Sequence, residues 1–490
     1  MIRSRALPGF ALSGALATAL LLAAGCGVKG AMAPNTPPET IVFVEGPVDT
    51  VNHIVTLRWF GSDPDGEVVR YDYRFVYPAG QEPAGYDSSA WLATTRVDST
   101  FAIYTPNGYT MPTFVIRSVD NDGEPDPTPA RETFQFKNDP PSVQLIGNPI
   151  LPATTLPVAT IEWTANDPDG NINQAHFLVW LDANEAGAAV VPSVTSYTLP
   201  PSLFGDGAGG YLAGPHTVHL RCVDDGGAVS QPDSFTWNVA APVGQVLLVD
   251  DDPGAASNPA DAMYGASFDR QLGAGNFTRV DIEVVNPFRS IADLTYSFGF
   301  FQSVFWYQEN SITRSGTLAM AEQAIQSTLA RGGNFYISSA TLVGTNAAIE
   351  SGAFLKQIVG ADSVRINPNT QTTNFGTGNG QVLTAGAGTP YDSLRSVAIS
   401  TGIDALILEN SGDAAFLARP IILDSTQTED WVIGVDRVPA GGTGRLVALM
   451  FPLRYFGGTP VSAPSPAPDA NYGERTVRKI LARFGHGVSP

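Results

Sequence analysis

The sequence predicts a multidomain chain: two all-β sandwiches in tandem, followed by an α/β domain built on a doubly wound sheet. Three observations carry this expectation. The stretch Trp59-Phe60-Gly61-Ser62-Asp63-Pro64-Asp65-Gly66 returns 104 residues later as Trp163-Thr164-Ala165-Asn166-Asp167-Pro168-Asp169-Gly170. Apolar residues alternate at period two through both copies, as half-buried strands require. After Val243 the alternation gives way to continuous apolar runs separated by helical patterns, the mark of strands covered on both faces.

The repeat is supported at two further points. Arg117-Ser118-Val119-Asp120 and Arg221-Cys222-Val223-Asp224 keep the same offset, and Asn35-Thr36-Pro37-Pro38 and Asn138-Asp139-Pro140-Pro141 nearly do. A period near 100 residues is too long for a solenoid unit and implies tandem domains. The expected division is 1–25 as a signal peptide, 26–36 as a tether, 37–138 and 139–241 as the two sandwiches, and 242–490 as the α/β domain.

The N-terminus stands outside the fold. Arg3 and Arg5 precede an apolar, small-residue stretch from Phe10 to Ala24, too short for a membrane span. It ends in Leu22-Ala23-Ala24-Gly25-Cys26, which resembles the lipobox of bacterial lipoproteins. That resemblance implies an acylated Cys26 as the first mature residue and a lipid anchor in place of a spanning helix. The membrane expected is the outer one, because Gly27 stands where such families carry an Asp for inner-membrane retention. The other reading is an ordinary signal peptide with Cys26 incidental.

Charge narrows the partners. The chain has 27 basic and 47 acidic side chains, a formal net charge of −20. Phosphate recognition needs clustered Lys and Arg, so nucleic acid is not expected. A protein or glycan at the cell surface, or a cation, fits better. Of the two cysteines, a lipidated Cys26 would leave Cys222 without a disulfide partner in the chain. Cys222 lies in an alternating strand pattern and should be a buried, inert thiol.

The strands of the first copy read as Ile54–Phe60, Val69–Tyr77, Thr113–Val119 and Thr133–Phe136, and those of the second as Thr160–Trp163, Ala175–Leu181, His216–Val223 and Ser234–Trp237. Trp59 and Trp163, late in their strands, are the expected cores between sheets. These repeats resemble fibronectin type III or immunoglobulin-like modules of bacterial surface proteins. Asn-x-Pro-Pro opens each copy as a stiff joint.

Each copy carries two acidic loops: Asp63 and Asp65 with Asp120 and Asp122, then Asp167 and Asp169 with Asp224 and Asp225. Asp-Pro-Asp-Gly matches a type I turn, which explains these residues by itself. The other reading is topological. In an immunoglobulin-like sandwich the two loops lie at one pole, where their carboxylates would offer hard oxygen ligands to Ca²⁺. His53, His176, His216 and His219 are expected to be structural; the last two stand on opposite strand faces.

In the C-terminal part, Gln245–Asp250 is a strand, Ala260–Leu272 a helix, Arg279–Val285 and Ser303–Tyr307 strands, Thr317–Ala330 a helix closed by Gly332-Gly333, Asn334–Ser338 a strand, and Glu474–Phe484 a last helix. Further apolar runs are 405–408, 431–435 and 446–450. Strands alternating with helices imply a parallel sheet. Gly441-Gly442-Thr443-Gly444 lacks the Lys-Ser/Thr of a P-loop and reads as a hairpin connection. The run Val246-Leu247-Leu248-Val249-Asp250-Asp251-Asp252, Val304-Phe305-Trp306-Tyr307 and the helix–Gly332-Gly333–strand unit resemble a class I glutamine amidotransferase-like, flavodoxin-like domain. That family's active enzymes pair a cysteine with a histidine. From Val243 onward this chain has no cysteine, and its one histidine is His486, expected in a mobile tail.

No catalytic residues are therefore assigned, and Ser338 and Ser339 lack a Gly-x-Ser-x-Gly context. Asp250, Asp251 and Asp252 end the first strand, where open α/β sheets bind ligands. They read either as a cation site or as a solvated loop. Two function classes remain: a lipid-anchored module for binding, adhesion or assembly, and an extracytoplasmic hydrolase or transferase using residues foreign to the family.

Overall fold

A computed structural model describes residues 34–43, 51–253, 259–309, 315–339, 342, 354–365, 375–377, 381–396, 400–403, 405–419, 429–456 and 471–489. The expected signal peptide and Cys26 lie outside these residues. The sheets are mostly β-sandwich-like in the first half of the chain. Among the described residues no helix is long and apolar enough to cross a membrane. The chain forms two compact units. One holds residues to 140 with the loops 167–171 and 224–228; the other holds 141–166, 172–223 and 229–490.

The first unit is a sandwich. One sheet pairs β1 (Glu39–Phe43), β2 (Ile54–Ser62) and β5 (Asp98–Ala102); the other pairs β4 (Leu92–Thr94), β3 (Val68–Val76), β6 (Thr113–Asp120) and β7 (Ala130–Thr133). All neighbours in both sheets are antiparallel. The alternation of β2 sends Leu57 and Trp59 inward, against Tyr71, Phe75 and Phe114. Trp59 is buried as expected, and its Nε1 donates to the Arg96 carbonyl at 2.8 Å.

The second unit opens with the second sandwich. Here β8 (Ser142–Ile146), β9 (Ala159–Asn166) and β12 (Ser196–Leu199) face β14 (Asp233–Val239), β13 (Gly214–Val223), β10 (His176–Leu181) and β11 (Ala189–Val191). Trp163, Phe177, Val218, Leu220 and Cys222 share its core, so Cys222 is buried as expected. Leu156 and Val158 point away from that core into the apolar layer of the following domain.

That domain is a sheet with helices on both faces. Five strands run parallel in the order β16 (Thr278–Asp281), β15 (Val246–Asp250), β17 (Ser303–Gln308), β18 (Asn334–Ser339), β21 (Leu446–Leu449). Alternate residues supply two layers. Leu247, Val249, Val304, Trp306 and Ile337 meet α2 (Ile291–Gly299) and α3 (Gly316–Ala330). Val246, Leu248, Phe305 and Tyr336 meet α1 (Pro259–Leu272) and α4 (Tyr472–Arg483). The expectation of a parallel sheet holds as far as β21 and is corrected beyond it. There β20 (Trp431–Arg437) and β19 (Ala414–Ala418) pair antiparallel, with Gly441–Gly444 in the hairpin between β20 and β21. A short return allows only antiparallel pairing, since a parallel neighbour needs a crossover of a dozen residues or more.

A contact invisible in the hydrophobic pattern ties the sandwich to this sheet. Ser290 caps α2: its side chain accepts from Asp293 N, while the Asp293 carboxylate accepts from Ser290 N. Thr160, on the outer face of β9, donates its hydroxyl to Asp293 Oδ1 at 2.8 Å. Beside it, Arg289 donates to the carbonyls of Pro149 and Ile150. Replacing Asp293 by alanine keeps the Ser290 half of the cap but leaves Ser290 N and Arg289 N without their carboxylate acceptor. Unfolding of this unit in urea should lose about 1–3 kcal/mol. Unchanged stability would show the cap to be dispensable.

Candidate functional site

The two acidic poles have the same skeleton. At the first, Asp63 Oδ1 accepts from Asp65 N at 3.3 Å, an Asx contact that bends the loop. A Cβ on Gly66 would overlap Asp63 Oδ2 and Asn121 Oδ1, so a larger residue would displace these two side chains. Asp120 accepts Asp122 N at 2.9 Å and Glu124 N at 2.8 Å on Oδ1. Asn35 Nδ2 donates to its Oδ2 at 2.6 Å. The Asn35 hydrogen bond, aided by the loop amides, holds the Asp120 carboxyl below its ordinary range. Thr36 N donates to Asp65, and Asp122 is exposed.

At the second pole most of these roles recur, with Ala228 N on Asp224 Oδ1 at 2.8 Å in the place of Glu124 N. Asp167 Oδ1 accepts from Asp169 N and Gly170 N at 3.3 and 3.0 Å. Asn138 Nδ2 donates to both oxygens of Asp224, at 3.2 and 3.1 Å, and Asp139 N to Asp169 Oδ2 at 3.0 Å. Burial pushes the carboxyls of Asp167 and Asp224 up. The asparagine of Asn-x-Pro-Pro ties down the later acidic loop in each copy. Sequence reasoning missed this role, whose only signal was that the asparagine recurs with the loop.

The second pole also contains His53. Its side chain is wholly buried, with Nε2 at 2.7 Å from Asp225 Oδ1. Its Nδ1 has no hydrogen bond and stands 3.9 Å from Asp169 Oδ2. The expectation of a satisfied histidine suits His216, held by Asp182 Oδ2 and the Leu212 carbonyl, and not His53. His216 and His219 do face opposite sides, and His219 stacks on Trp180. Among the described residues no three His, Cys, Asp or Glu side chains stand arranged to hold a metal ion.

At the strand ends of the parallel sheet, Asp250, Asp251 and Asp252 are buried and point to different partners. The solvated-loop reading is thereby corrected. Asp250 pairs with Arg279 at 2.8 Å. Asp251 Oδ2 accepts from Trp306 Nε1 at 2.9 Å and Ser315 Oγ at 2.6 Å. Asp252 Oδ1 accepts from Glu309 N, and its Oδ2 lies 3.7 Å from Arg454 Nη1. Desolvation pushes the Asp251 carboxyl up to about 7.

Sequence reasoning also missed Glu309. It follows β17 and is buried, and its Oε1 accepts from Tyr264 OH, Ser338 Oγ and Leu453 N at 2.8–2.9 Å. Its Oε2 accepts from Arg454 N at 3.1 Å. Burial pushes this carboxyl up as well. Ser338 is thus a buried donor to a carboxylate, and Ser339 is buried with its Oγ on Gln308 Oε1. His486 is not a loose tail: it is part-buried, with Nε2 at 2.7 Å from Ser303 Oγ, at the opposite end of β17 from Glu309.

No family model matches the chain, and no curated protein matches it. Among solved structures, the fibronectin(III)-like modules of Clostridium thermocellum CbhA are 17% identical, with 41% of this chain and 94% of that one covered, at a TM-score of 0.17. Chicken CNTN1 FN1-FN3 domains are 12% identical over 42% and 68%, also at 0.17. The chicken interferon gamma receptor alpha chain is 12% identical over 42% and 99%, at 0.16. Scores this low add no weight of their own, and the sandwich assignment rests on the strand pairing above.

Proposed function

We propose that the chain is a lipid-anchored cell-envelope protein, held through Cys26 in the outer membrane and facing the periplasm or the exterior. Its modules act in binding, adhesion or assembly toward a protein or glycan. The observation that carries the binding reading is the outer face of the first sandwich. Ile41, Phe43 and Phe60 are 52, 47 and 53% exposed there, with Ile41 directly opposite Phe60 in the pairing of β1 with β2. Single exposed apolar residues are ordinary, but an adjoining group marks an interaction surface. In the second repeat the positions matching Ile41 and Phe60 are the polar Gln144 and Thr164, and only Ile146, matching Phe43, is apolar. With Phe60 replaced by Asp, binding to isolated cell envelopes should fall about tenfold, the effect expected of a central aromatic contact. Undiminished binding would remove this face from the account.

The anchor is supported by Arg3, Arg5 and the Leu22–Cys26 stretch. Replacement of Cys26 by Ser should move the protein from the membrane fraction to the soluble one. Retention in the membrane would contradict the anchor.

The C-terminal domain is read as flavodoxin-like and amidotransferase-like. With its parallel strands counted in chain order, the sheet runs 2-1-3-4-5, the flavodoxin order. It is read as non-catalytic, because it contains no cysteine and buries both Ser338 and Ser339. A fluorophosphonate probe should label neither serine. Labelling that disappears together with turnover in Ser338→Ala would favour the hydrolase reading.

A further inference from the structure

We propose that the second acidic pole binds calcium, through Asn138, Asp167, Asp169 and Asp225, with Asp224 holding Asn138 in place. Carboxylates alone would not carry this; the decisive group is an amide. Asn138 is 1% exposed, and its Nδ2 lies on both oxygens of Asp224. An ionised carboxylate only accepts, so the amide cannot be turned the other way round. Its Oδ1 is then a buried acceptor with no donor. Three more oxygens share that condition: Asp167 Oδ2, Asp169 Oδ1 and Asp225 Oδ2, the last on a side chain only 7% exposed. Buried oxygens almost always have partners, and an orphan calls for an ion or a water. Here four occur together.

The four belong to one place. A Cβ on Gly170 would overlap Asp167 Oδ2 and lie 3.0 Å from Asp225 Oδ1. One on Gly226 would sit 2.5 Å from Asn138 Nδ2 and 2.9 Å from the His53 ring. Asp139 N, next to Asn138, donates to Asp169. His53 occupies one oxygen of Asp225, and a single imidazole cannot offset four carboxylates. The nearby Lys137 is paired with Asp139.

All the orphan atoms are hard oxygens from carboxylates and an amide, the donor set of Ca²⁺, which takes six to eight ligands at variable angles and accepts waters among them. The side chains do not yet close on one point, so binding draws the loops 167–171 and 224–228 together. The first pole has the same skeleton with Asn121 for Asp225 and Thr36 for Asp139, and there Asp63 Oδ2 is orphaned. One orphaned oxygen there stands against four here, so the tighter site is the second pole.

The test is titration of the full mature chain with CaCl₂, read by calorimetry, and with Tb³⁺, read by luminescence. Tyr104, packed against Gly227, is a sensitiser for the lanthanide. The expected result is a calcium-dependent rise in melting temperature. Asp225→Asn and Asp169→Asn should each weaken binding about tenfold or more while circular dichroism stays native. Asp63→Asn, at the first pole, should leave the tighter site intact. His53→Gln should retain binding, since it removes a competitor for Asp225. Absence of heat and of any melting shift in calcium would overturn the proposal. So would calcium binding unaffected by Asp225→Asn and Asp169→Asn. Destabilisation by His53→Gln that calcium does not relieve would instead assign the neutralising role to the histidine.

Discussion

Replacing Glu309 by alanine should destabilise the C-terminal domain by about 3–5 kcal/mol, the range for removing one partner of a buried charged network. The carboxylate accepts four donors, Tyr264 OH, Ser338 Oγ, Leu453 N and Arg454 N, and its burial leaves the two backbone amides no ready substitute. The hydroxyl of Tyr336 joins the chain through Tyr264, at 2.8 Å. Each donor left unpaired carries its own desolvation penalty. Glu309→Gln retains one acceptor but turns an NH₂ toward a donor, and should cost less, about 1–3 kcal/mol. Urea titration measures the loss, and hydrogen exchange should place it in β17 and β18. A loss under about 1 kcal/mol for the alanine variant would mean that the network is not formed as described.

Asp251→Asn should act in the opposite direction and stabilise the protein above neutral pH. The carboxyl is raised in the folded chain to about 7 from an ordinary 3.8, because burial penalises its charge more than Ser315 and Trp306 relieve it. The folded state therefore holds a proton that the unfolded state has released. This contribution to stability is complete below about pH 4 and is lost as pH rises toward about 7. Each tenfold gain in proton affinity corresponds to about 1.4 kcal/mol, so the whole effect is on the order of 4 kcal/mol. Asparagine does not titrate and still offers an oxygen to Trp306 and Ser315. Wild type and variant should thus be similar at about pH 4 and diverge toward about pH 8, with the variant more stable. Parallel curves across that window would place the Asp251 titration elsewhere.

The elements that the sequence displayed were those set by local pattern. Trp59 and Trp163 alternate with polar neighbours, and both are buried between sheets. The helices at Pro259–Leu272, Gly316–Ala330 and Tyr472–Arg483 lie within two residues of expectation, because each carries an apolar stripe. The helix Ile291–Gly299 was missed, although Ser290 and Asp293 form a capping-box pattern before it. The hairpin at Gly441–Gly444 was legible, but the antiparallel pairing of β19 with β20 was not, because an apolar run does not encode pairing direction. The same limit applies to the acidic poles. Their aspartates were legible as a repeat, but Asn138 meets Asp224 across 86 residues, and His53 meets Asp225 across 172. Asp250, Asp251 and Asp252 looked alike in sequence. Their separate partners come from three different strands and loops.

We propose that this chain works from a membrane through an acylated cysteine. The most direct measurement is the mass of the mature N-terminal peptide from protein made in a lipoprotein-processing bacterium. The expected peptide begins at Cys26 and carries a diacylglyceryl group, with or without a further acyl chain. An unmodified peptide, beginning at another residue or retaining a bare Cys26, would contradict it.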